Sequence, residues 1–244
     1  MHAPAMVDAA LRLSAAGASA AEIARSLAVP RSTVRDWLTG CVPHVPAPSE
    51  GEACLLGHAF HDLPPAYVYL LGLYLGDGCI SQNAKGVAKL RLSMDSKYPG
   101  ILGGAITAIL AVRPSVVGSQ HQPRNCIRVY SYWTHWPCLL PQHGAGKKHT
   151  RRIVLTDWQE RLVDRWPEHL IAGLIHSDGS RFENTGTQWT WPRYAFKQVS
   201  ADIRRIFCAA CDRLALRWTA AGDAVYVSRK ADVAKLDSIV GPKR

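Results

Sequence analysis

Apolar residues run almost unbroken from Tyr67 to Leu75, and the chain then turns at once to Asp77-Gly78. No charge falls between Tyr67 and Gly76, so the pattern predicts a helix buried nearly all round, not an amphipathic one. The pattern occurs twice: 69–78 reads YLLGLYLGDG and 170–179 reads LIAGLIHSDG. Small residues recur four apart, Gly72 with Gly76 and Gly173 with Ser177, giving each helix a strip along which another backbone can approach closely. Pro64, Pro65 and Pro167 stand where the two helices begin, which suits a first helical turn.

After each copy the period changes from helical to alternating. Following Gly78, strands are expected at 79–82 and 89–94, the second alternating Lys89, Leu90, Arg91, Leu92, Ser93, Met94, so that Lys89 and Arg91 share a face. Asp95 or Ser96 is expected to cap a helix over 97–112, with strands at 116–119 and 127–132 and a short helix near Trp136. Following Gly179 the order returns: strands at 181–184 and 194–199, a helix from the cap Ser200 to 214, strands near Arg217 and at 224–228, and a helix over 231–240. The spans from motif acid to second-strand end, 77 to 93 and 178 to 198, are similar, the mark of an internal repeat.

Residues 1–42 have a different texture, with helices expected at 6–16, at 19–27 behind the N-cap Ser19, and at 30–38 with Pro30 at the first helical position. Ala24, Val29 and Val34 hold the places that let two helices cross at a tight turn, and 20–38 resembles a helix-turn-helix. That resemblance makes Arg31, Ser32, Thr33 and Arg35 DNA-reading residues, although Ala28 stands where many such motifs have glycine. A small helical bundle that binds protein is the alternative. A Pro- and Gly-rich linker follows over 43–62, and Cys41, His44, Cys54 and His58 around it are either chance residues or a zinc knuckle.

Charge changes the picture more than composition does. The 244 residues carry a net +10, yet residues 1–60 hold four basic and five acidic residues, leaving 25 basic and 14 acidic over 61–244. The basic excess thus belongs to the duplicated part and points to a polyanion partner. Arg outnumbers Lys twenty to nine, which suits bidentate contacts to phosphate and guanine. No apolar stretch is long enough for a membrane span and no secretory leader is evident, so a cytoplasmic protein, nucleoid-associated when bound to DNA, is expected. The seven scattered cysteines read as reduced thiols, Cys208 and Cys211 included.

Asp77 and Asp178 lie at helix C-termini, where the macrodipole already repels a carboxylate. If the two helices pack through their small faces, the acids meet and each raises the cost of ionising the other, a repulsion that a divalent cation relieves. The doubled motif resembles the LAGLIDADG family of homing endonucleases in its single-chain, two-motif form. The resemblance implies an α+β fold: two pseudo-symmetric αββαββα halves, 63–149 and 150–244, form a DNA-binding saddle, preceded here by a small all-α helix-turn-helix domain. It implies a monomer acting on double-stranded DNA, with Asp77 and Asp178 holding Mg²⁺ for phosphodiester hydrolysis. It further implies catalytic roles for Gln198 and Lys230, beside Lys197 and Arg229, with Ser93 and 131–133 as the first-half counterparts. Lys89, Arg91, Arg128 and Arg193 are expected to contact DNA, and Arg124, Lys147, Lys148, Arg151 and Arg152 its phosphates. A regulator that keeps this scaffold and binds DNA without cutting is the alternative function.

Overall fold

The computed structural model describes residues 4–38, 60–83, 86–144, 146–186 and 188–241, in two compact units. The zinc quartet lies outside them. The N-terminal unit contains α1 (Pro4–Ala15), α2 (Ala20–Ser26) and α3 (Arg31–Leu38) around a core of Val7, Ala10, Ile23, Val29, Val34 and Trp37. Ser19 caps α2 as expected: its hydroxyl accepts from the Glu22 amide, and the Glu22 carboxylate accepts from the Ser19 amide at 2.8 Å. Pro30 sits one residue before α3 instead of inside it, its carbonyl accepting from the Val34 amide. Ala28 takes φ +52°, the left-handed conformation that glycine adopts at no steric cost.

The larger unit begins with α4 (Pro65–Asp77), the first motif helix, and continues through β1 (Gly78–Gln82), β2 (Ala88–Asp95), α5 (Pro99–Val112), β3 (Gly118–Gln122), β4 (Cys126–Tyr132) and α6 (Trp136–Leu139). A connecting helix α7 (Asp157–Arg165) then leads into α8 (Pro167–Asp178), the second motif helix. The series repeats as β5 (Gly179–Thr185), β6 (Thr190–Lys197), α9 (Ala201–Arg213), β7 (Thr219–Ala221), β8 (Ala224–Val227) and α10 (Lys230–Val240). Each half is αββαββα, and each folds one antiparallel four-stranded sheet, in the orders β1-β2-β4-β3 and β5-β6-β8-β7. The chain is therefore an α+β fold of two pseudo-symmetric halves with a separate helix-turn-helix-like unit.

Several boundaries differ from expectation for local reasons. β1 and β5 start at the motif glycines themselves, because Gly78 and Gly179 are already extended and paired, with Leu92 and Phe196. Asp95 does not cap α5. Its carboxylate accepts from the Lys97 amide in a turn, and the helix opens two residues later on Pro99. β3 and β7 lie slightly later than predicted, their edges bearing mostly exposed polar or small residues with no alternation to mark them.

α7 was not expected. Its polar sequence carries Trp158, Leu162 and Val163 on one buried face, and Gln159 is fully enclosed. Gln159 donates to the Tyr67 hydroxyl at 2.7 Å, Tyr67 donates to the Leu139 carbonyl at 2.6 Å, and Gln142 donates to Gln159 at 2.5 Å. This buried network satisfies its polar groups mutually, ties the connector to the start of α4, and leaves the Tyr67 phenol pushed far up by burial.

Candidate functional site

The two motif helices meet backbone to backbone. A Cβ on Gly72 would lie 2.6 Å from the Leu170 carbonyl oxygen, and one on Gly173 2.9 Å from Gly72 Cα. Only glycine at both positions permits that approach. One turn further, a Cβ on Gly76 would lie 2.8 Å from Asp178 Oδ2, so the Asp178 carboxylate rests against the residue that precedes Asp77. The seam thus brings the acids to one end of α4 and α8, Asp77 exposed and Asp178 half-buried. Ser177 lacks Gly76's freedom to leave space, and its hydroxyl folds back to donate to the Gly173 and Leu174 carbonyls.

Around the pair the halves are unequal. Gln198 Nε2 donates to Asp178 Oδ2 at 2.7 Å, one residue beyond β6. Strand pairing fixes its counterpart: Gly78 opposes Leu92 as Gly179 opposes Phe196, which puts Met94, not Ser93, at the place of Gln198. Leu92 opposes Val129 as Phe196 opposes Val225, so the counterpart of Lys230 is Thr134. Lys230 itself is exposed at the start of α10 and makes no hydrogen bond or ion pair with the other described residues. Arg229 is the exposed N-cap residue beside it, and Lys197 faces Asp223 at 3.7 Å.

Lys148 is not the outward phosphate contact expected from its place in the basic run. Its ammonium donates to the carbonyls of Tyr74, Leu75 and Gly76 at 2.5, 2.9 and 2.7 Å, closing the last turn of α4 next to the acids. Burial draws its pKa down to about 8, opposed by the pull of the Asp178 and Asp77 charges. Arg151 also turns inward, donating to the carbonyls of Gln142, Gly144 and Gly146. Neither group faces outward as a phosphate contact would. The signal was the basic run at 147–152; nothing local distinguishes a cap from a surface charge.

The helices cover one face of each sheet and leave the other open. On the first sheet the open face carries Lys89, Arg91 and Arg128 with Tyr130 and Tyr132. Lys89 Nζ stands 4.1 Å from the Tyr130 ring centre, and in the second sheet Arg193 stands 3.9 Å from Tyr226. The strand registers make Lys89 equivalent to Arg193 and Tyr130 to Tyr226, so the duplication extends to a cation–aromatic pair. Arg124 is exposed in the β3–β4 turn, and in the N-terminal unit Arg31, Ser32 and Arg35 are exposed and Thr33 half-buried.

A family model described as a homeodomain-like domain matches residues 9–40. Comparison with curated protein sequences finds no match. Among solved structures, the homing endonuclease I-WcaI bound to its DNA recognition sequence is similar at 11% identity, covering 74% of this chain and 83% of that one with a TM-score of 0.49. The N-terminal LAGLIDADG domain of DUF199/WhiA is similar at 12% identity over 76% of this chain and 89% of that one, TM-score 0.45. The I-SmaMI LAGLIDADG homing endonuclease bound to cleaved DNA is similar at 10% identity over 74% and 84%, TM-score 0.44.

The Cys211 thiol is buried and pushed up in pKa, and Cys208 above it on α9 is likewise raised by burial, so neither has thiolate character. Among the described residues no helix is long and apolar enough to cross a membrane, and no group of three or more His, Cys, Asp or Glu is placed to hold a metal.

Proposed function

We propose that this chain binds double-stranded DNA sequence-specifically and, with a divalent cation at Asp77 and Asp178, hydrolyses its phosphodiesters. The observation that carries the reading is the pair of carboxylates at one end of two helices locked together through Gly72 and Gly173. Nothing in the packing of α4 against α8 needs acids there, and the dipoles of both helices oppose them. Two carboxylates suit Mg²⁺, which keeps water and substrate phosphate as its remaining ligands; a third protein acid is not required. The ion would supply neutralisation of the charge that develops on the phosphate.

The chain's own residues do the rest. Lys89, Arg91, Arg128 and Arg193 engage phosphates and base edges from the open sheet faces. Arg31, Ser32, Thr33 and Arg35 read a neighbouring stretch through α3, a role in keeping with the homeodomain-like match. Gln198 holds the Asp178 carboxylate in place and aligns the attacking water, and Lys230, at the start of α10, is the cation assigned to assist it.

Met94 and Thr134 favour a second reading, a DNA-binding regulator that does not cut, because the first half lacks the polar groups of the second. The two part in one assay. Incubation with randomised duplex libraries and Mg²⁺ is expected to give specific cuts that an Asp77→Asn/Asp178→Asn variant abolishes. Sequence-selective binding without cutting at any site would leave the regulator.

A further inference from the structure

We infer that Lys148 is a resident cation of the acid pair: its ammonium balances Asp77 and Asp178 in the DNA-free protein, so the motif helices close without metal and an incoming divalent ion must contend with it. Three donor hydrogens meet three consecutive carbonyls at the end of α4, so the ammonium is oriented by the helix and not merely nearby. The position is otherwise negative twice over. Two carboxylates stand at that end of the seam, each at the C-terminus of its own helix, where the dipole adds partial negative charge. Both acids act on the ammonium against the cost of burying it.

The delivery of Lys148 is built into the connector. Arg151 gathers the carbonyls of Gln142, Gly144 and Gly146, and the Thr150 hydroxyl donates to the Lys147 carbonyl at 2.8 Å, fixing a short turn of helix over Lys148–Thr150. Among the described residues of the second half no lysine caps the end of α8 in this way. There the Ser177 hydroxyl bonds within α8 and the Gln198 amide donates to Asp178.

The inference rests on reading Asp77 and Asp178 as a working pair, but its test reads stability and ion binding. The full chain is compared with Lys148→Met, Asp77→Asn/Asp178→Asn and the triple variant by thermal unfolding in chelator, and with Lys148→Met by calorimetric titration of Mn²⁺. Lys148→Met is expected to lower the melting temperature, with at least half of that loss disappearing in the background without acids. Its Mn²⁺ affinity is expected to rise on the order of tenfold or more, since removing a unit positive charge beside a half-buried divalent site relieves at least that much opposition. An equal loss in both backgrounds, or unchanged ion affinity, would mean that Lys148 only caps a helix and overturns the inference. Should Lys148→Met not fold, folding of the triple variant supports the inference and its failure overturns it. Absence of DNA cutting bears on the proposed function and not on this result.

Discussion

Gly173→Ala sets two opposed effects against each other. In a helix interior alanine is better than glycine by about 1 kcal/mol, and propensity alone predicts a more stable protein. The added Cβ, however, would lie 2.3 Å from the Tyr69 carbonyl oxygen, 2.9 Å from Gly72 Cα and 3.0 Å from the Leu73 amide nitrogen. All three partners are backbone, so no rotamer change gives way, and α8 must retreat from α4. A radial gap of about 0.5–1 Å forfeits a quarter to a half of the dispersion attraction across a contact. The contact concerned includes Leu70, Leu73, Leu170 and Leu174, all fully buried. Overpacking of this kind costs about 3 kcal/mol, at the upper end of the usual range, because the seam is the most extensive helix contact in the unit. The net loss is then about 2 kcal/mol, which lowers the melting temperature of a unit this size by about 4–8 °C. Urea unfolding followed by circular dichroism checks it, as a lower midpoint at unchanged slope. Gly103→Ala is the control: that glycine is exposed on α5 with nothing within 4 Å of a Cβ, and the substitution should stabilise by about 0.5–1 kcal/mol. If Gly173→Ala proved as stable as Gly103→Ala, the close-packed seam would be refuted.

Ala28→Gly should stabilise the N-terminal unit by about 0.5–1 kcal/mol, since relief of the left-handed strain outweighs the extra freedom of glycine in the unfolded chain. Slower hydrogen exchange of the Val29 amide, which donates to the Ala24 carbonyl at 3.1 Å, would report it. The Arg181 guanidinium, with help from the Tyr194 hydroxyl, holds the Asp237 carboxyl below the usual aspartate range. Its stabilising contribution is whole above that range and is lost as pH falls through the lowered folded value. Asp237→Asn should therefore flatten the acid limb of the stability–pH curve, and an unchanged limb would count against the pairing. On the proposed nuclease reading, Gln198→Ala, which removes the 2.7 Å bond to Asp178, should reduce cleavage by about 10–100-fold while gel-shift affinity for DNA stays near wild type. On the same reading Met94→Gln should speed cutting of the more slowly cut strand.

The motif helices, their glycines and the αββαββα order were legible in the sequence because each follows from a local pattern. An uncharged apolar run with small residues four apart fits a buried helix, and alternation such as that from Lys89 to Met94 fits a strand with one covered face. What escaped was set by partners remote in sequence. α7 hides its three apolar residues in a polar segment, and the enclosure of Gln159 depends on Tyr67 from another helix. Ser93 was matched to Gln198 by counting, and strand pairing moved the match by one residue to Met94, which exchanges a surface position for a covered one.

By itself the sequence determined that two acids end two equivalent helices, and that the basic charge lies with them. Side chains four apart on a helix share a face whatever the helix packs on, so the small-residue strips needed no tertiary knowledge. Only the tertiary structure decided which charges surround the acids. Lys148 and Arg151 belong to the same basic run as Lys147 and Arg152, yet their groups are spent on carbonyls brought close by folding. A lysine's destination depends on which unpaired carbonyls lie within reach of its flexible stem, and no pattern along the chain encodes that distance.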